Sequence, residues 1–129
     1  MRITKAQWVI AILSLAAAGI HLYVVPEHLE EYPPSGYFFI IVGLLQILAA
    51  VWLLWKPSKP LYIAMVASTV ALLALWVESR TFGLPMGAHW MVEEISLPDV
   101  LARVVELSMA TVLLGLLRRQ SVARSDHSV

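Results

Sequence analysis

The 129-residue chain contains no cysteine. That excludes disulfides, thiolate nucleophiles, cysteine-ligated iron–sulfur clusters and thiolate zinc sites. Charge is also scarce. Asp, Glu, Lys and Arg make up 14% of the residues, against about 25% in a soluble domain. The formal net charge is zero, so no electrostatic pull toward nucleic acid is expected. No Walker loop, dinucleotide fingerprint or nucleophile–base pair is present, which argues against an enzyme of the ordinary soluble type. What the chain has in excess is apolar residues, 60% of the total, with mean hydropathy +0.78. So small a soluble fold could not hide that much apolar surface, and lipid is the natural solvent for it.

A spanning helix needs about 20 mostly apolar residues. Four runs qualify, at about 7–25, 37–55, 61–77 and 98–117, and residues 1–117 are read as one four-transmembrane-helix domain. Breakers fall between the runs: Pro26, Pro33, Pro34, Gly36, Pro57, Pro60, Gly83, Pro85, Gly87 and Pro98. Residues 118–129, RRQSVARSDHSV, lack apolar periodicity and are expected to form a disordered cytoplasmic tail. The first run also has a signal-peptide layout, with Arg2 and Lys5 ahead of it and an Ala16–Ala18 pattern inside it. Its apolar stretch continues through Val25, however, which favours a retained span.

Charge is sorted about these runs. Arg2, Lys5, Lys56, Lys59, Arg118, Arg119 and Arg124 lie on one side, and Glu27, Glu30, Glu31, Glu78, Glu93, Glu94 and Asp99 on the other. Basic segments stay in the cytoplasm. The reading is therefore an all-α integral-membrane four-helix bundle, N-in/C-in, in a bacterial cytoplasmic membrane. Small-residue stripes suit helix contacts in lipid: Ala64, Ala67, Ser68, Ala71 and Ala74 in the third run, Thr111 and Gly115 in the fourth, and Ala16 and Gly19 in the first.

The polar residues worth attention gather on the acidic side. Asp99, Arg103 and Glu106 share a helix face, and Glu106 lies about 12 Å along the fourth helix. A carboxylate at that depth needs a partner. An intrahelical ladder through Arg103 is the ordinary reading, and a proton relay or ligand carboxylate the sharper one. His21 shares a face with Ser14 and Ala18 near the outer end of the first helix. Gln46 falls mid-helix, where an interhelical hydrogen bond is expected. In the first outer loop, PEHLEEYPPSG, Pro26 suits the first turn of a short helix, and His28 and Glu31 have metal-ligand spacing. The second outer loop, about 20 residues long, is expected to fold over the bundle mouth. There Met86, His89 and Met91 offer the soft donors that copper(I) prefers.

The segments AGIHLYVVPEHLEEYPPSGYFFIIVGLLQ and SRTFGLPMG…EEISLPDVLARVVEL resemble an uncharacterised family of small four-span bacterial membrane proteins, of actinobacterial type. The matching positions are His21, Pro26, Glu27, His28, Phe38, Phe39, Gln46, Thr81, Gly83, Leu84, Pro85, Gly87, Asp99 and Glu106. The resemblance covers most of residues 18–107 and implies an architecture and candidate positions, not an activity. The layout is also similar to that of DoxX-like four-helix membrane proteins.

The leading expectation is a non-catalytic membrane protein with a polar site at the outer face, serving as an accessory subunit of a larger membrane complex or as a homo-oligomer in the bilayer. Copper, zinc or haem would be held by His21, His28, His89 and Glu106, with Glu31, Glu78, Asp99 and Arg103 as supporting partners. One alternative is a membrane enzyme or proton-coupled carrier using Glu106 and His21. Another is a structural subunit that docks partner helices.

Overall fold

The computed structural model describes residues 3–86, 89–91 and 96–127, and for 84–86, 89–91 and 123–127 the backbone alone. The elements in order are α1 (Lys5–Tyr23), α2 (Val25–Glu31), α3 (Pro33–Trp55), α4 (Lys59–Thr81), β1 (Leu84–Met86), β2 (His89–Met91) and α5 (Leu97–His127). Four helices are long and apolar enough to cross a membrane.

Local chemistry explains the helix ends. Thr4 caps α1 reciprocally with Gln7: Gln7 N–H donates to Thr4 Oγ1 at 3.2 Å and Thr4 N–H to Gln7 Oε1 at 2.9 Å. Pro26 has no N–H for the α1 ladder, so the chain breaks at Val24 and restarts as α2 with the proline in its first turn. The short helix expected after Pro26 is therefore present. Of the other prolines, Pro57 separates α3 from α4, Pro85 lies in β1, and Pro33, Pro34, Pro60 and Pro98 lie inside helices. Pro33 and Pro34 occupy the first turn of α3, and Pro60 that of α4, which Ser58 caps through a 3.3 Å bond from Leu61 N–H. The spans consequently begin several residues before the expected 37 and 61, because proline suits a helix start as well as it ends one. Gly83, at φ 88°, closes α4: its N–H donates to Glu78 O at 2.8 Å, a left-handed cap that glycine adopts without strain.

The tail, expected to be disordered, is helical: α5 continues to His127 instead of ending near residue 117. Arg118, Arg119, Gln120 and Arg124 are good helix formers, and basic residues suit a helix C-terminus. The four candidate spans are all helical, and between α4 and α5 the strands β1 and β2 form a short antiparallel hairpin, with Met86 opposite His89 and Leu84 opposite Met91.

The core lies at the basic end. Ile10 and Ala11 from α1, Ala50 and Leu53 from α3, Tyr62 and Met65 from α4, and Met109 and Leu113 from α5 are buried together. The start of α1, the end of α3, the start of α4 and the end of α5 thus share one end of the bundle. Gln7 Nε2 donates to Tyr62 Oη at 3.0 Å across it. The most extensive seam joins α1 and α3, where a Cβ on Gly43 would lie 2.8 Å from Leu22 Cγ. α1 also packs broadly on α5, whereas α4 rests on α5 and barely touches α3.

The expected small-residue stripes are not at these seams. Ala64, Ala67, Ser68, Ala71, Ala74, Ala16 and Thr111 are exposed, and a Cβ on Gly19 or Gly115 would meet nothing within 4 Å. Small residues permit close approach on a face but do not choose the partner. On α4 the buried residues are Tyr62, Met65, Thr69 and Ser79.

Candidate functional site

At the opposite end of the bundle, polar side chains replace the apolar core. His21 follows Ser14 and Ala18 on the buried face of α1. Glu106 comes inward from α5, one turn beyond Arg103. His21 Nε2 donates to Glu106 Oε1 at 2.8 Å, and Arg103 Nη2 donates to the same oxygen at 3.2 Å. Arg103 Nη1 donates to Leu72 O on α4 at 3.2 Å. His21 is 3% exposed, Glu106 1% and Arg103 8%. A carboxylate this deeply buried is tolerable because a guanidinium and an imidazole converge on it. Glu106 Oε2 has no hydrogen-bond partner among the described residues.

Asp99 departs from the expected ladder. It pairs with Arg80 of α4, not with Arg103. Its carboxylate also accepts from Ser96 N–H at 3.3 Å, while Asp99 N–H reaches back to Ser96 Oγ at 3.5 Å, so the residue caps α5 and ties α5 to α4. Arg80 is held from behind as well. Its Nη1 donates to Ser79 Oγ at 2.5 Å, and its guanidinium lies 5.7 Å from the Trp76 ring centroid. Because α4 barely touches α3, this pair helps to hold the acidic end of α4 on α5.

Among the described side chains, His21 and His28 are not arranged to share a metal. His28 Nδ1 donates to Val24 O at 2.9 Å within its own helix. The Phe39 ring lies between the two imidazoles, stacked on His21 at 5.4 Å and edge-on to His28 at 4.6 Å. Glu31 is exposed and Glu78 half-buried, its carbonyl capping α4. His89 sits in β2 opposite Met86, and the side chains of Met86, His89 and Met91 lie outside the described residues, as do Gly87, Glu93 and Glu94. Among the described residues, no group of three or more His, Asp or Glu could hold a metal ion. The imidazole–carboxylate metal reading therefore finds no support among the described residues, and the soft-donor reading of Met86, His89 and Met91 falls on side chains outside them.

Gln46 also differs from expectation. Its carbonyl, not its side chain, makes the contact between α1 and α3, accepting from Ser14 Oγ at 2.7 Å. Gln46 Oε1 is buried without a partner.

A cavity of about 350 Å³ opens beside the triad. His21, Arg103, Arg80 and Asp99 supply its polar wall, and Phe38, Phe39, Leu72 and Trp76 much of its apolar wall. Arg103 Nε and Trp76 Nε1 are buried N–H donors with no acceptor among the described residues. The sequence reading missed Arg80, Ser79 and Trp76 as members of this site. Arg80 carried a signal, because it and Arg103 are the two cations on the side where basic residues are otherwise missing. Trp76 was indistinguishable from an interfacial aromatic. No protein-family model matches this sequence, and no curated protein or solved structure shows significant similarity to it.

Proposed function

We propose that this is a non-catalytic, multi-pass protein of the bacterial cytoplasmic membrane, with both termini cytoplasmic, that holds a small molecule carrying an acceptor oxygen in its outward-facing cavity. The charge sorting supports the orientation. The binding role rests on one observation: Arg103 and Trp76 line a 350 Å³ cavity, and their Nε and Nε1 donors are buried without acceptors among the described residues. Small-molecule sites have this character, mostly apolar with a few convergent polar groups, and cavities of a few hundred Å³ suit them. Leaving such donors unmatched costs about 1–3 kcal/mol each, and a bound carbonyl or carboxylate oxygen would relieve that cost.

The triad gives the cavity a stiff wall. Proton transfer through Glu106 is the weaker reading, because a neutral Glu106 would leave Arg103 buried without a counter-charge. A structural role is the second reading, and the outward-facing stripe of Ala64, Ala67, Ser68, Ala71 and Ala74 favours it as a surface for partner helices.

Hexanoate provides the test, measured by saturation-transfer NMR on protein in nanodiscs. Saturable binding is expected, weakened about tenfold in Arg103→Lys, which keeps a cation opposite Glu106 but removes the Nε donor. Absence of saturable binding, or equal binding by the variant, overturns the reading.

A further inference from the structure

The outer cavity does not end at the triad. A second cavity of about 430 Å³ runs down between α3 and α4, where those helices stand apart, and it shares Phe38, Leu72 and Leu75 with the first. Leu45, Gln46 and Met65 line it on the way to mid-membrane, with Ala64, Ser68 and Ala71 along the α4 side. Several of these residues are exposed, so the groove opens sideways. In a chain that spans the bilayer, that side faces lipid. The polar end is therefore continuous with an apolar trough that reaches the hydrocarbon.

The geometry points to a membrane-resident, single-chain amphiphile as the ligand: its carboxylate or carbonyl oxygen accepts from Arg103 Nε and Trp76 Nε1, and its chain lies in the α3–α4 groove. The inference rests on the binding reading above and adds the ligand class and a lateral route of entry. Three features select this occupant. The unmatched donors Arg103 Nε and Trp76 Nε1 lie at the acidic end, whereas the unmatched group along the groove is an acceptor, Gln46 Oε1, so the ligand's acceptor oxygen belongs at the acidic end. Arg80–Asp99 and Arg103–Glu106 already balance each other's charge, so the head must offer an acceptor but need not carry a net charge. The small side chains on α4 leave width for a methylene chain, and a neighbouring helix seated there would meet Gln46 and Ser14 without reaching the donors at the outer end.

Photolabelling tests this in nanodiscs, with a long-chain fatty acid and its methyl ester, each carrying a mid-chain diazirine, and mass-spectrometric mapping of the adducts. Label is expected on Leu45, Ala64 and Ala71, displaced by unlabelled fatty acid. Ser68→Trp fills the groove at an exposed position that lines only the second cavity, and should cut groove labelling about tenfold while hexanoate binding stays unchanged. The acid labelling better than the ester assigns a carboxylate head, and equal labelling a carbonyl. Two results overturn the inference: adducts spread evenly over the outward faces of α1 and α5 without displacement, or adduct-free protein whose α3–α4 face cross-links to a second copy. If hexanoate binds but the chain does not label the groove, the chain inference alone fails. If hexanoate does not bind, the binding reading itself has failed.

Discussion

The two ends of this bundle are built from the same four helices on opposite principles. At the basic end, Ile10, Leu53, Tyr62, Met65, Met109 and Leu113 fill the interior with little polarity. At the acidic end, the equivalent space holds His21, Arg103 and Glu106, an inter-helix ion pair and a cavity. One end is close-packed and makes the helices cohere. The other is polar, incompletely filled and open to one side. Lipid gives helices no hydrophobic reason to associate, so dense packing at one end frees the other to carry unmatched polar groups.

Substitutions at the two ends can break or sharpen that contrast. The largest loss should come from Glu106→Ala, which leaves Arg103 and His21 buried without their anion. About 3–5 kcal/mol of unfolding free energy is expected to go, measured by steric trapping in bicelles. Replacing His21, Arg103 and Glu106 together by Leu, Met and Leu should cost far less than that single change; a larger loss would mean the triad holds the helices together rather than furnishing a cavity wall. Next comes Leu113→Ala at the basic end. It should cost about 2–3 kcal/mol through an unfilled space and leave hexanoate binding untouched. Equal damage to binding would show that the ends are not independent.

Asp99→Asn should cost about 1–2 kcal/mol by loosening the Arg80 clasp. Its effect should appear locally, as faster hydrogen exchange at the outer turns of α4 and no change near Tyr62. The smallest effect, of opposite sign, is expected for Gln46→Leu. It removes a buried acceptor without a partner, so stability should stay level or rise by up to about 1 kcal/mol, read in the same steric-trapping assay. A loss above that range would mean the Gln46 side chain has a partner in the bilayer.

Much of the architecture was legible in the residues. Four greasy runs, a one-sided distribution of lysine and arginine, and a histidine seven residues after a serine were enough to anticipate the spans and the buried face of α1. Glu106 could be singled out because a carboxylate so far along an apolar helix demands company. Its nearest sequence neighbours suggested Arg103, and that pair formed. Asp99 looked equally well placed for Arg103 but went to Arg80. Nineteen residues and a hairpin separate those two, and no helical spacing relates them. Phe39 coming between His21 and His28 was equally hidden, because imidazoles that seem adjacent in a loop map can have a ring between them.

Sequence alone determined that the chain belongs in lipid, which residues are apolar enough to span it, and which side collects the acids, since hydropathy and charge act locally. Helix rotation and spacing were decided only by tertiary structure. The alanine stripe of α4 faces outward, α3 and α4 stand apart, and a cavity results. These outcomes depend on which side chains mesh across helices: Gly43 admits Leu22, and the Arg80–Asp99 pair turns α4 toward α5.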